Sequence, residues 1–64
     1  MKRLTDEILL DAIQCLWVVD GYPPTTEAII GELIFFNKKQ VHVALQRAKK
    51  RGKLMAHRER WVHS

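Results

Sequence analysis

The 64 residues predict a mainly α domain, three helices closed by a small β-hairpin. Three observations carry that prediction. Apolar residues recur at helical spacing in three separate stretches. Each stretch is bounded by residues that start or stop helices. The segment from Lys53 onward instead has short runs on either side of a polar turn.

Helix 1 is predicted over about 5–20, good to a few residues at each end. Thr5 can cap it, and Asp6 and Glu7 suit its positive N-terminal end. Ile8, Leu9, Ala12, Ile13, Leu16 and Val19 fall on one arc. Cys15 shares that arc and reads as a small buried hydrophobe. Gly21 supplies a left-handed stop after Asp20, and Pro23-Pro24 cannot continue the helix.

Helix 2 is shorter, about 26–33, capped by Thr25 or Thr26 with Glu27 in its first turn. Ile29, Ile30 and Leu33 make its buried side. Phe35-Phe36 follows, then Asn37. Asn37 and Gln40 have capping-box spacing, which starts helix 3 at Lys38 and carries it over about 38–51. Val41, Ala44, Leu45 and Ala48 share one side of it, and Gly52 ends it.

The remainder, about 53–63, reads as a hairpin turning near Arg58-Glu59. Trp61 is expected to close the core beneath it. Helix, helix, tight turn, helix, hairpin is the layout of a winged helix-turn-helix. It fills the whole span 1–64 as one domain.

Composition narrows the function. A domain of this size buries only about 60% of the surface its unfolded chain exposes, so a large catalytic cleft is not expected. An apolar share of 47% excludes a disordered tail. The longest apolar run, Leu16 to Val19, is far too short to span a bilayer, so no membrane association is expected. No cleavable leader is visible. A single cysteine rules out an internal disulfide and fits a reducing cytoplasm. The glycines form no phosphate loop. His42, His57, His63 and Cys15 lack metal-ligand spacing. His57 and His63 could share one side of the hairpin, where they would be solvated. Asp6, Glu7 and Asp11 read as helix-start and surface charges, not as an acid–base pair. No enzyme activity, catalytic residue, metal or cofactor is expected.

The charge is strongly divided. Before Lys38 there are two basic and six acidic residues; from Lys38 onward there are nine basic and one acidic. The basic half is expected to face a polyanion and the acidic half to face away. Stepping helix 3 at about 100° per residue puts Lys39, Gln40, His42, Val43, Gln46, Arg47 and Lys50 opposite its apolar stripe. A B-DNA major groove accepts one helix, and N-terminal residues of such a helix reach base edges. Lys39 is suited to guanine O6 or N7, Gln46 or Gln40 to adenine, and Val43 to a thymine methyl. Lys38 opens the same helix and joins the set. Lys49, Lys50 and Arg51 lie further along, placed for phosphates. Arg58 and Arg60 flank the hairpin tip, where arginine can enter a minor groove or clamp phosphate.

A basic face is usually just solvated. Its concentration on one helix after a tight turn favours double-stranded DNA as the partner. Two rivals remain: a nonspecific architectural DNA binder, and an adaptor that grips a protein through an apolar patch of helix 1. Leu10 and Trp17, seven residues apart and off the core stripe, would form that patch. The same patch could pair two copies across a two-fold axis.

Leu4-Thr5, Gly21-Tyr22-Pro23-Pro24-Thr25, Ile29, Leu33, Phe35, Leu45 and Gly52 together resemble the winged helix-turn-helix DNA-binding domain of the SOS repressor LexA family. The resemblance runs from Leu4 to Leu54. It implies three helices, a two-stranded wing and helix 3 in the major groove, in a small phage- or plasmid-type repressor of the cytoplasm. By position it places base contacts on Lys39, His42 and Val43. Lys39 stands where the family has another polar residue, and His42 and Val43 stand where it has acids, so a different DNA sequence is implied. Ile34 replaces the family's turn glycine, and Ile30 replaces a small residue inside helix 2. Only the DNA-binding part is matched, so self-cleavage is not carried over.

Overall fold

The computed structural model describes residues 3–63. Three helices and one hairpin follow in chain order: α1 (Asp6–Asp20), α2 (Thr26–Glu32), α3 (Lys38–Lys50), β1 (Leu54–His57) and β2 (Arg60–His63). The predicted boundaries hold to within a residue, because the signals that set them are local.

The caps act as their chemistry dictates. The Thr5 hydroxyl accepts from the Ile8 amide at 3.3 Å, and the Thr25 hydroxyl from the Ala28 amide at 3.2 Å. At α3 the capping box is complete. Asn37 Oδ1 accepts from the Gln40 amide at 2.8 Å, and Gln40 Oε1 accepts from the Asn37 amide at 3.0 Å. Gly21 ends α1 at φ 81°, a left-handed conformation open to glycine at no steric cost. Gly52 does the same after α3 at φ 78°.

One core joins all five elements. Leu9, Ile13, Ile29, Val41, Leu45 and Leu54 are its most deeply buried side chains. Leu33 and Phe36 seal the turn between α2 and α3, where the Phe36 amide donates to the Leu33 carbonyl at 3.0 Å. Trp61 closes the hairpin side and is 6% exposed, as expected for a core-closing tryptophan.

The hairpin is antiparallel, with Leu54 opposite His63 and His57 opposite Arg60. Arg58 and Glu59 form its turn with φ of 50° and 66°. Two positive φ values are what a type I′ two-residue turn requires, here met without glycine. The alternation of the strands sends His57 and His63 to opposite faces of the ribbon, so the two imidazoles do not share a side.

The Pro23–Thr26 segment takes up the outer edge of β2, a feature the sequence did not signal. Thr25 bridges to Arg60, the Trp61 amide donates to the Pro24 carbonyl at 2.8 Å, and the Trp61 indole donates to the Thr26 hydroxyl at 2.8 Å.

Helix 1 departs from expectation on its surface. Cys15 is exposed rather than buried, and Val19 is 81% exposed rather than part of the core. The deeply buried apolar residues of α1 are Leu9, Ala12 and Ile13, in its first half. In its later turns Leu16 still packs against the core, while Val18 and Val19 face outward. Leu10 is not surplus surface either: it is partly buried and packs against the core. Trp17 is half-buried and shares a shallow cleft with Ile13, Val18 and His63. The most exposed large apolar side chains are instead Phe35, Val19, Val18 and Ile34.

Candidate nucleic-acid interface

α3 has 13 residues and is about 20 Å long. Val41, Ala44, Leu45 and Ala48 fix its rotation by locking into the core. The opposite side is then determined. Lys39, Val43, Gln46 and Lys50 follow one another along it at spacings of three and four residues, and all four are exposed. His42 and Lys49 lie beside this stripe, and Lys38 precedes it; these are exposed too. Among the described residues, Lys38, Lys39, His42, Gln46, Lys49 and Lys50 have no hydrogen bond or ion pair to another side chain. Val43, 55% exposed, is the apolar interruption in the row.

The other flank of α3 is engaged. Gln40 is half-buried, with its side-chain oxygen committed to the capping box. One Arg47 NH2 group donates to the Leu4 carbonyl at 3.0 Å. Arg47 therefore braces the N-terminal segment rather than facing outward with Lys39 and Lys50.

Asp6 is the centre of that flank. It was expected at the surface as a helix-start charge, but its side chain is only 9% exposed. Arg51 donates to its Oδ2 at 2.8 Å and Lys53 to the same oxygen at 3.2 Å. Arg47 Nε faces its Oδ1 at 3.7 Å, an ion pair too long for a hydrogen bond, and both atoms are buried. The hydrogen bond from Arg51, then that from Lys53, holds the Asp6 carboxyl below its ordinary pKa, against the opposing pull of desolvation. Arg51, expected on phosphate, thus has a partner within the chain.

Hairpin cations divide in the same way. Arg58 sits exposed in the turn with no ion pair among the described residues. Arg60 does not flank the tip as an open contact. It donates to the Pro23 carbonyl at 2.7 Å, and its guanidinium lies 4.6 Å from the Tyr22 ring centroid, a cation–π distance. Its charge helps hold the α1–α2 connection to the ribbon.

Comparison of the chain with protein-family models, characterised proteins and solved structures finds no match.

The described residues contain no cluster of three or more His, Cys, Asp or Glu side chains that could hold a metal ion. Among them, no helix is long and apolar enough to cross a membrane. What remains is a rigid, outward-facing rod with lysines at both ends and an amide and an apolar side chain between. Such a surface can donate hydrogen bonds to acceptors, neutralise anions and cover a methyl group.

Sequence reasoning missed the Asp6 cluster and the Arg60–Pro23 link. Both join residues far apart in the chain, by 45 positions for Asp6–Arg51 and 37 for Arg60–Pro23.

Proposed function

We propose that this chain is a winged helix-turn-helix domain that binds double-stranded DNA in a sequence-dependent manner and acts as a transcriptional regulator. The observation that carries the reading is the unpaired Lys39–Val43–Gln46–Lys50 stripe along the solvent side of α3. α3 enters the major groove with Lys39 near its leading end, donating to guanine, and Val43 against a thymine methyl. Gln46 reads adenine. Lys38, Lys49 and Lys50 bind phosphates, and Arg58 at the hairpin tip binds the flanking backbone. The turn from Leu33 to Asn37 sets α2 against α3 as the first helix of the pair. The bridge between Thr25 and β2 gives the ribbon a third strand-like edge, which supports its assignment as a wing.

Two copies are part of the same proposal. One domain this small reaches few bases, and a two-fold pair reads half-sites about 34–36 Å apart or a multiple of that. Sedimentation at micromolar concentration is expected to exceed the 7.5 kDa of one chain; a clean monomer removes the pair from the proposal.

Selection of bound duplexes from a random pool tests the main reading. An enriched motif, with affinity that falls steeply with salt, is the expected result. Salt-dependent binding with no enriched motif converts the reading to a nonspecific architectural binder. A second reading, a protein-binding adaptor, is favoured by the 72% and 82% exposure of Ile34 and Phe35 in the α2–α3 turn. Its signature is absence of duplex binding together with a partner interaction that salt barely changes.

A further inference from the structure

Three of the nine basic residues beyond Asn37 converge on one carboxylate. We propose that Asp6 is an internal counter-ion that holds Arg47, Arg51 and Lys53 away from the polyanion, and so sets the domain's sequence-independent affinity for DNA and the salt dependence of that affinity. This rests on the duplex-binding reading above and names a residue that tunes it.

The first step is geometric. Asp6 is almost wholly buried, whereas the Arg51 and Lys53 side chains are 57% and 49% exposed. Long cationic side chains at the surface would ordinarily point their charge into water. Here they lean back onto Asp6 Oδ2, with contacts of 2.8 and 3.2 Å. Arg47 is drawn toward Oδ1 on the same carboxylate. Arg51 directly follows Lys50, and Lys53 lies three residues beyond it, so released Arg51 and Lys53 side chains would add cations close to that end of α3.

The second step is energetic. Sequence-independent affinity grows with each phosphate a cation neutralises, with a salt slope near 0.9 per contact. Each cation held by Asp6 is one fewer for the phosphates of any duplex, cognate or not. Its release raises affinity for every sequence and steepens the salt dependence, and leaves the ratio between sequences to the base-facing stripe.

The third step separates this role from simple bracing. Glu7 already serves the positive end of α1 from its first turn, and the Arg47 bond to the Leu4 carbonyl already anchors the N-terminal segment. A single cation would neutralise Asp6, yet both Arg51 and Lys53 bond its Oδ2 and Arg47 faces its Oδ1, so the cluster holds more positive charge than balancing the carboxylate requires.

The test compares Asp6→Asn with Glu7→Gln, which makes the same change in net charge one residue away. Wild type and both variants are measured by fluorescence anisotropy on a random-sequence duplex across a salt series, and by elution from heparin-agarose. The expected result is that Asp6→Asn steepens the salt slope by about two contacts' worth, roughly 1.8, and binds nonspecific duplex at least tenfold more tightly near 0.1 M salt. It also elutes from heparin at higher salt than Glu7→Gln. Ordinary destabilisation would weaken binding, so the direction is diagnostic. Equal behaviour of the two variants, or weaker binding by Asp6→Asn, overturns the proposal. Should Asp6→Asn fail to fold by circular dichroism, wild-type-like chains carrying Arg51→Gln, Lys53→Gln or Lys50→Gln decide it. Lys50→Gln should flatten the slope by about 0.9 and the other two should leave it nearly unchanged; equal flattening by all three overturns the counter-ion role. Heparin retention that rises for Asp6→Asn while no chain binds duplex would retain that role and sink the DNA reading instead.

Discussion

On one flank of α3, Gln40 and Arg47 are tied to the chain's own backbone, and Arg47 and Arg51 to Asp6. On the other, Lys39, Gln46 and Lys50 have no side-chain partner among the described residues. The residue types are nearly the same on both sides. What differs is the neighbour: the first flank faces the segment from Leu4 to Asp6, and the second faces solvent. A count of basic residues therefore overstates the charge available to a partner. Position around the helix, and the presence of a distant acid, decide which cations are free.

The comparison breaks most sharply if the inward side of α3 is not the stability side. Leu45→Ala should cost about 2–5 kcal/mol in urea denaturation, because Leu45 is 1% exposed and its removal leaves a cavity. Val43→Ala, two residues earlier and more than half exposed, should change stability by no more than about 0.5 kcal/mol. Similar losses at both sites would mean that α3 is rotated differently from what is described here.

Binding sharpens the same contrast. Lys39→Ala should lose about 1–3 kcal/mol of affinity for a selected duplex and relax its preference at one base, with unfolding unchanged. A uniform loss over all sequences would reassign Lys39 to a phosphate.

The hairpin tip gives a smaller effect of opposite sign. Glu59 holds a φ of 66°, where a side chain is strained and glycine is not. Glu59→Gly should raise stability by about 1 kcal/mol, read as a shift in thermal midpoint. No gain would show that the turn relaxes away from the primed geometry.

The gentlest test is acid. The Asp6 carboxyl titrates below its ordinary value in the folded chain, so its contribution is present at neutral pH. That contribution fades as pH falls from the unfolded-state pKa through the lower folded one. Wild type should lose stability relative to Asp6→Asn across that acid window, measured by urea midpoint against pH; parallel curves would show that the cluster is not formed in solution.

Most of the chain's architecture was legible because its signals are short-range. Thr5, Thr25 and the Asn37/Gln40 pair act within one helical turn of themselves, and Gly21 and Gly52 act on their own backbone. The hairpin was legible from its flanking runs, although Arg58-Glu59 lacks the usual glycine. The surface of α1 was not. Cys15 and Val19 satisfy a helical period, but period measures only which residues share a side, not how far along the helix that side is covered. Of the candidate interface, the outward stripe could be drawn from rotation alone once the core residues were chosen. Arg47, Arg51 and Arg60 could not be assigned that way, since Asp6, Leu4 and Pro23 reach them only through the closed fold.

Pro23, Thr25, Thr26 and Pro24 each hold on to Arg60 or Trp61. Four ties over so short a span make that loop a fulcrum for the ribbon. The base of β2 cannot tilt without carrying the first turn of α2 along, so force applied at the Arg58–Glu59 tip is delivered to the helix that precedes α3. Under the duplex-binding role proposed above, a duplex that tugs on the ribbon would thereby re-aim α2, and changes in that loop should alter the docking angle while the outward side chains of α3 stay the same.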